Sequence, residues 1–168
     1  MNARAMSDAL FSPPDEAWVP LSPQYLRLKR LMVLVNWTWL SAIPVVALGV
    51  LWRWDAAAGL AALAVCWIGY RWWRQKRAWL ARGYAERDND LFIKSGLLMR
   101  QLTIVPYGRM QVVEVASGPL ERRFGLAHVQ LVTASSSTDA TIPGLTEDAA
   151  TALRERLAER GEHQAAGL

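Results

Sequence analysis

Residues 31–52 read LMVLVNWTWLSAIPVVALGVLW, 22 residues without a charge. As a helix rising 1.5 Å per residue the stretch is about 33 Å long, which spans the hydrocarbon core of a bilayer. After Arg53, Trp54 and Asp55 comes AAAGLAALAVCWIGYRWW over residues 56–73. This second stretch is shorter in its uncharged part and rich in Ala and Gly, and Arg71 can snorkel from its end, so it reads as a weaker second span. So short a connection forces the two helices antiparallel. Gly59, Ala62 and Gly69 predict a close approach of the backbones, and a tight helical hairpin is expected over residues 31–77.

The charge divides along the same line. Residues 1–77 hold nine Lys and Arg against four Asp and Glu, and residues 78–168 hold ten against eleven, so the net +4 belongs to the N-terminal half. Arg27, Lys29 and Arg30 precede the first span, Arg71, Arg74, Lys76 and Arg77 close the second, and the turn has only Arg53. This asymmetry predicts a multi-pass membrane protein with both termini in the cytoplasm. Eight of the nine Trp lie between Trp37 and Trp79. Trp52 and Trp54 at one edge, and Trp72, Trp73 and Trp79 at the other, suit the interfacial belts. The first 30 residues have no apolar h-region near the start and no small-residue cleavage site, so the first span reads as an uncleaved anchor. Residues 1–20 read as an extended tail. Ser22 and Pro23 make an N-cap and first turn for an interfacial helix, with Trp18 and Tyr25 at the headgroups.

Nucleic-acid binding is not expected, because the C-terminal half has neither a basic face nor stacking aromatics. The single Cys66 lies in an apolar run and reads as a small packing residue.

From about Arg82 onward short apolar runs punctuated by turn residues predict strands. Residues 91–94 and 97–100 flank Ser95 and Gly96, a two-residue hairpin signal. Gly108 opens GRMQVVEVASG, with Met110, Val112, Glu114 and Ala116 on one face and Gln111, Val113, Val115 and Ser117 on the other. Residues 119–124 predict one helical turn. In LAHVQLVTA, Ala127, Val129 and Leu131 alternate with His128 and Gln130. Ser135, Ser136 and Ser137 form a hairpin tip. Thr146 caps a last helix with Glu147 and Asp148 in its first turn, an apolar stripe of Ala149, Ala150, Leu153 and Leu157, and Gly161 as its stop. The sum is a helical hairpin followed, over residues 78–168, by a small antiparallel β domain closed by one helix.

At this point the sequence resembles the bacterial pleckstrin-homology-like membrane proteins of the YdbS-like type. The resemblance rests on an ordered set: Trp18 with Leu21, Ser22 and Pro23, the two-span hairpin, Gly96-Leu97-Leu98 and Val105-Pro106. Then come Arg109-Met110-Gln111-Val112-Val113, Gly118-Pro119-Leu120-Glu121-Arg122-Arg123-Phe124-Gly125-Leu126, and Ile142-Pro143-Gly144-Leu145. It implies a pleckstrin-homology-like domain of two packed antiparallel sheets or a partly open barrel, with a C-terminal helix. It also implies a noncatalytic role and assembly with a larger membrane partner that repeats the domain, an inference by analogy.

No catalytic, cofactor or metal residues are expected. Gly83, Gly96, Gly108 and Gly118 are isolated turn glycines rather than a phosphate loop. His128 and His163 lack metal-ligand spacing, with His128 on a wet strand face. The Ser135–137 run has no base or nucleophile elbow. Glu114 either faces solvent or pairs with Arg109 or Arg100. The first hairpin offers only Lys94 and Arg100, so phosphoinositide recognition is not expected. Attraction to anionic lipid headgroups through Arg74, Lys76, Arg77 and Arg82, about 1 kcal/mol per group, is the alternative, with Arg71 as a further juxtamembrane basic residue. Arg122 and Arg123 beside Phe124 suit a partner or membrane contact, or a plug at the sheet end between solvated arginines. Asn36, Thr38 and Ser41 suit either a pore in a small channel or transporter subunit, or hydrogen bonds to the neighbouring helix.

Overall fold

The computed structural model of the chain describes residues 17–51, 53–97, 99–133 and 139–166, with side chains to residue 164. Residues 1–16, Trp52, Leu98 and the expected hairpin tip at 135–137 lie outside them. The described elements are β1 (Val19–Pro20), α1 (Pro23–Leu51), α2 (Trp54–Leu80), β2 (Gly83–Glu86), β3 (Asp90–Ser95) and β4 (Gln101–Pro106). A 3-10 turn over Tyr107–Arg109 leads to β5 (Met110–Ala116), α3 (Pro119–Arg123), β6 (Leu126–Thr133), β7 (Ala140–Thr146) and α4 (Glu147–Ala166). They group into two compact units. One holds the residues up to Tyr25 together with those from Ala78, and the other is Leu26–Arg77.

The first unit is two antiparallel sheets, of order β1-β2-β3-β4 and β5-β6-β7, closed by α4. Strand alternation builds the core. In β6, Leu126, Ala127, Val129 and Leu131 are buried while Gln130 is exposed. From α4, Ala150, Leu153 and Leu157 are buried at helical spacing. Thr146 caps that helix as expected, its Oγ1 accepting the Ala149 N–H at 3.3 Å.

Four local readings change. The first hairpin has no two-residue turn. Ser95 pairs with Gln101, so residues 96–100 form the connection, and Gly96 at φ +97° is required because a Cβ there would lie 1.8 Å from the Met99 carbonyl oxygen. In β5 the register shifts between Met110 and Val112, which leaves Gln111 exposed beside Val112, while from Val112 on the expected alternation holds, with Val112, Glu114 and Ala116 exposed and Val113 and Val115 half-buried. The C-terminal helix runs through Gly161, because Gln164, one turn beyond, is tied to the body by tertiary hydrogen bonds. Tyr25 lies in the domain core, not at the headgroups.

Tyr25 belongs to a knot of four contacts. Ser22 caps α1 from its side chain (Gln24 N–H to Oγ, 3.3 Å), and its own N–H donates to the Gly144 carbonyl at 2.9 Å. Trp79 Nε1 donates to the Ser22 carbonyl at 3.2 Å, and Arg82 Nη1 donates to the Tyr25 hydroxyl at 2.9 Å. Gly144 has φ +69°, and a Cβ there would lie 2.3 Å from Tyr25 Cγ. The ring occupies the space that any side chain would need.

The second unit is apolar on its outside. Trp39, Ile43, Val46, Val50, Leu63 and Val65 are all at least 60% exposed, a surface no water-soluble domain sustains. Among the described residues one helix, α1, is both long and apolar enough to cross a membrane. α2 has 27 residues, and its lower hydropathy follows from a charge-free run of only residues 56–70, bounded by Asp55 and Arg71. Gly59 and Gly69 do not mark a close approach, since a Cβ at either meets nothing within 4 Å. The close approach is at Gly49, where a Cβ would lie 3.1 Å from the Trp54 ring. Between the helices bulky side chains meet instead, with Trp37 edge-on to Trp67 at 5.7 Å. The turn is closed by the Arg53 N–H on the Leu48 carbonyl at 3.1 Å, and the Arg53 guanidinium pairs with Asp55.

Gly144→Ala should destabilise the β domain by about 2–4 kcal/mol, through overpacking and strain at positive φ. Thermal unfolding of the full chain checks this. Most of the penalty should disappear when Tyr25 is also shortened to Ala, since the two positions are in contact.

Candidate functional site

β5 has a strand neighbour on one side only among the described residues. Beside it, a groove of about 530 Å³ runs against α4, floored by Met110, Gln111 and Val113 and walled by Leu157, Ala158 and Gly161. The groove exists because Ala158 and Gly161, three apart on one helix face, are too small to fill it. Gln111 and Ala158 are exposed within it, and Arg154, Glu155 and Glu162 at its rim supply charge of both signs.

The wall is pinned along its length. Arg156 forms a double hydrogen bond to Glu86, at 2.8 and 3.2 Å. Arg160 Nη1 donates to the Tyr107 hydroxyl at 2.8 Å and to the Arg87 carbonyl at 3.0 Å, while Tyr107 donates to that carbonyl at 2.9 Å. Gln164 accepts from the Gly108 N–H at 2.9 Å and donates to Asn89 at 3.1 Å. Burial pushes the Tyr107 phenol up, against the lowering effect of Arg160. Burial followed by the Glu86 charge pushes Tyr84 up as well, and the hydrogen bond to Glu86 raises Arg156.

Arg122 and Arg123 are exposed and Phe124 is half-buried. The short helix that carries them is held by Glu121, whose carboxylate accepts the Gly118 N–H at 3.0 Å and lies 2.9 Å from His128 Nδ1. His128 is thus half-buried against a carboxylate rather than on a wet face. Glu114 is exposed opposite Gln130, not beside Arg109 or Arg100. Of the basic residues in the first hairpin, Lys94 sits over the Trp18 ring at 4.2 Å, and burial lowers its pKa.

In the hairpin unit the basic residues do not simply line the surface. Arg30 of α1 lies over the Trp72 ring of α2 at 5.0 Å, and Arg71 of α2 lies over the Trp37 ring of α1 at 5.5 Å. Each helix therefore lends an arginine to a tryptophan of the other. Arg77 lies over Trp73 on its own helix at 3.9 Å. Sequence reasoning named Arg71, Arg74, Lys76 and Arg77 but assigned Arg30 to topology alone. The missed signal was the seven-residue spacing of Arg30 and Trp37 on one face, matched by the adjacent Arg71 and Trp72. Ser41 donates to the Trp37 carbonyl of its own helix at 2.7 Å, not to the neighbour, and Asn36 and Thr38 are exposed. Cys66 is exposed rather than packed.

Tyr84 and Tyr107 stay protonated in the folded domain at pH values where the unfolded chain ionises. Stability is therefore full below about pH 10 and lost as the pH rises through the raised phenol values. Alkaline unfolding followed by phenolate absorbance should show this. Tyr107→Phe should cost about 1 kcal/mol at neutral pH and flatten the alkaline loss.

A family model described as a bacterial PH domain matches residues 30–161. The transmembrane protein YdbS of Bacillus subtilis (strain 168) is 34% identical over 74 residues, which are 44% of this chain and 45% of that protein. The match thus spans less than half the length of the curated relative. No solved structure matches.

Proposed function

Because the chain belongs to the bacterial PH-domain family, among its YdbS-like membrane proteins, we propose that it is a noncatalytic assembly module of a bacterial inner membrane. In this reading both α1 and α2 cross the bilayer and both termini are cytoplasmic. The domain then binds a larger membrane protein carrying repeats of the same fold. The observation that carries the reading is the open edge of β5 beside the α4 groove. A strand edge without a neighbour offers a row of backbone donors and acceptors to an extended segment of another chain. The adjoining groove takes alternate side chains of that segment, and its mixed-sign rim suits a polar surround. The concentration of Lys and Arg at the open end of the hairpin, against a turn whose one arginine is paired with Asp55, supports the orientation.

Capture of the tagged protein from its native membrane in mild detergent should bring down, in stoichiometric amount, a membrane protein with PH-like repeats. Gln111→Lys and Ala158→Phe alter only exposed groove positions, and each should lower that capture at least ten-fold while leaving thermal unfolding unchanged. Recovery of the wild-type chain alone, at monomer or homo-oligomer mass, overturns the assembly reading, as does equal capture by both variants. A fluorescent-protein fusion at the C-terminus should fluoresce, and a periplasmic reporter at the same place should be inactive. The opposite pattern removes the proposed orientation.

A further inference from the structure

We propose that the hairpin holds one anionic glycerophospholipid, its phosphate on Arg30 and Arg71 and an acyl chain in the groove between the helices. The inference rests on the membrane placement of the hairpin proposed above and is independent of the β5 edge.

Three observations converge. First, the Nε atoms of Arg30 and Arg71 are buried and have no hydrogen-bond partner. Arginine stays charged at any physiological pH, and with each Nε covered and unanswered, the charge of these half-buried side chains is left to be met at their Nη donors, by an anion from outside the chain. Second, each guanidinium lies over an indole ring of the opposite helix. The ring holds the cation in place without using any of its N–H donors, which leaves the Nη groups for a phosphate.

Third, Trp37 belongs both to the Arg71 contact and to an apolar groove. Arg71 lies over its ring, and the same indole joins Leu40, Pro44, Leu63, Ala64 and Trp67 in lining a cleft of about 390 Å³. From Trp37 to Pro44 the cleft follows α1 for about 10 Å, in the direction of the turn. A free phosphate would leave that cleft empty, and an uncharged lipid would leave the guanidiniums unanswered. An anionic phospholipid satisfies both. Arg74 and Lys76, in the same basic run, serve as the comparison for a merely diffuse attraction to the membrane.

Native mass spectrometry of the full chain in mild detergent, with phosphatidylglycerol or phosphatidylcholine added, tests the site. One phosphatidylglycerol per chain should be retained. Retention should fall at least ten-fold in Arg30→Gln/Arg71→Gln and stay at the wild-type level in Arg74→Gln/Lys76→Gln. Glycerol phosphate in excess should not displace the lipid. Equal retention of phosphatidylcholine, full retention by the Arg30/Arg71 variant, equal loss in the Arg74/Lys76 variant, or displacement by glycerol phosphate each overturns the proposal. If the Arg30/Arg71 variant does not fold, the wild type decides. Its tryptophan emission should be quenched more by phosphatidylglycerol with brominated chains than by brominated phosphatidylcholine at the same low mole fraction, and equal quenching overturns the site. Ala158→Phe should bind the lipid normally, so a failed lipid site and a failed assembly surface are seen separately.

Discussion

The β domain is closed by the ring of Tyr25 lying on the backbone of Gly144. No side chain other than hydrogen fits beneath the ring, and the contact brings together chain segments more than a hundred residues apart. Ser22 fastens the same place with a backbone hydrogen bond, Trp79 adds a donor from the last turn of α2, and Arg82 adds one from just after it. The consequence is that the domain cannot be completed by residues 78–168 alone. Part of its core is supplied by Leu21, just before the first long helix, and by Tyr25 in that helix's first turn. Long-range contacts of this kind carry a large loop-closure cost, and here the intervening loop is itself a helical hairpin.

Much of this was legible in the sequence, and the reasons are physical. A charge-free run of 22 residues has few fates, and strand alternation in β6 and the Thr146 cap are local signals that tertiary contacts had no cause to override. Even the motif order was informative: Leu21-Ser22-Pro23 and Ile142-Pro143-Gly144-Leu145, conspicuous only as separate short blocks, are the two sides of one contact.

What escaped was set by three-dimensional partners. Gly161 reads as a stop, yet hydrogen bonds from Gln164 to Gly108 and Asn89 favour another turn of helix. Gly59 and Gly69 suggest close packing, yet Trp37 and Trp67 hold the space between the helices. The β5 groove could not be foreseen because it depends on which face of α4 meets which strand, and the Arg–Trp stacking depends on the rotation of α1 against α2. Periodicity records which residues share a face; it does not record what that face meets.

The pairing of Arg53 with Asp55 has an electrical consequence. A charge carried across a membrane potential of 100 mV gains or loses about 2.3 kcal/mol. In the proposed topology the turn is the part of the hairpin that crosses to the far side, and it crosses as a neutral pair. The potential therefore performs almost no work on the hairpin as it inserts. Once in place, the turn presents no net charge on the far side that a change in voltage could pull on.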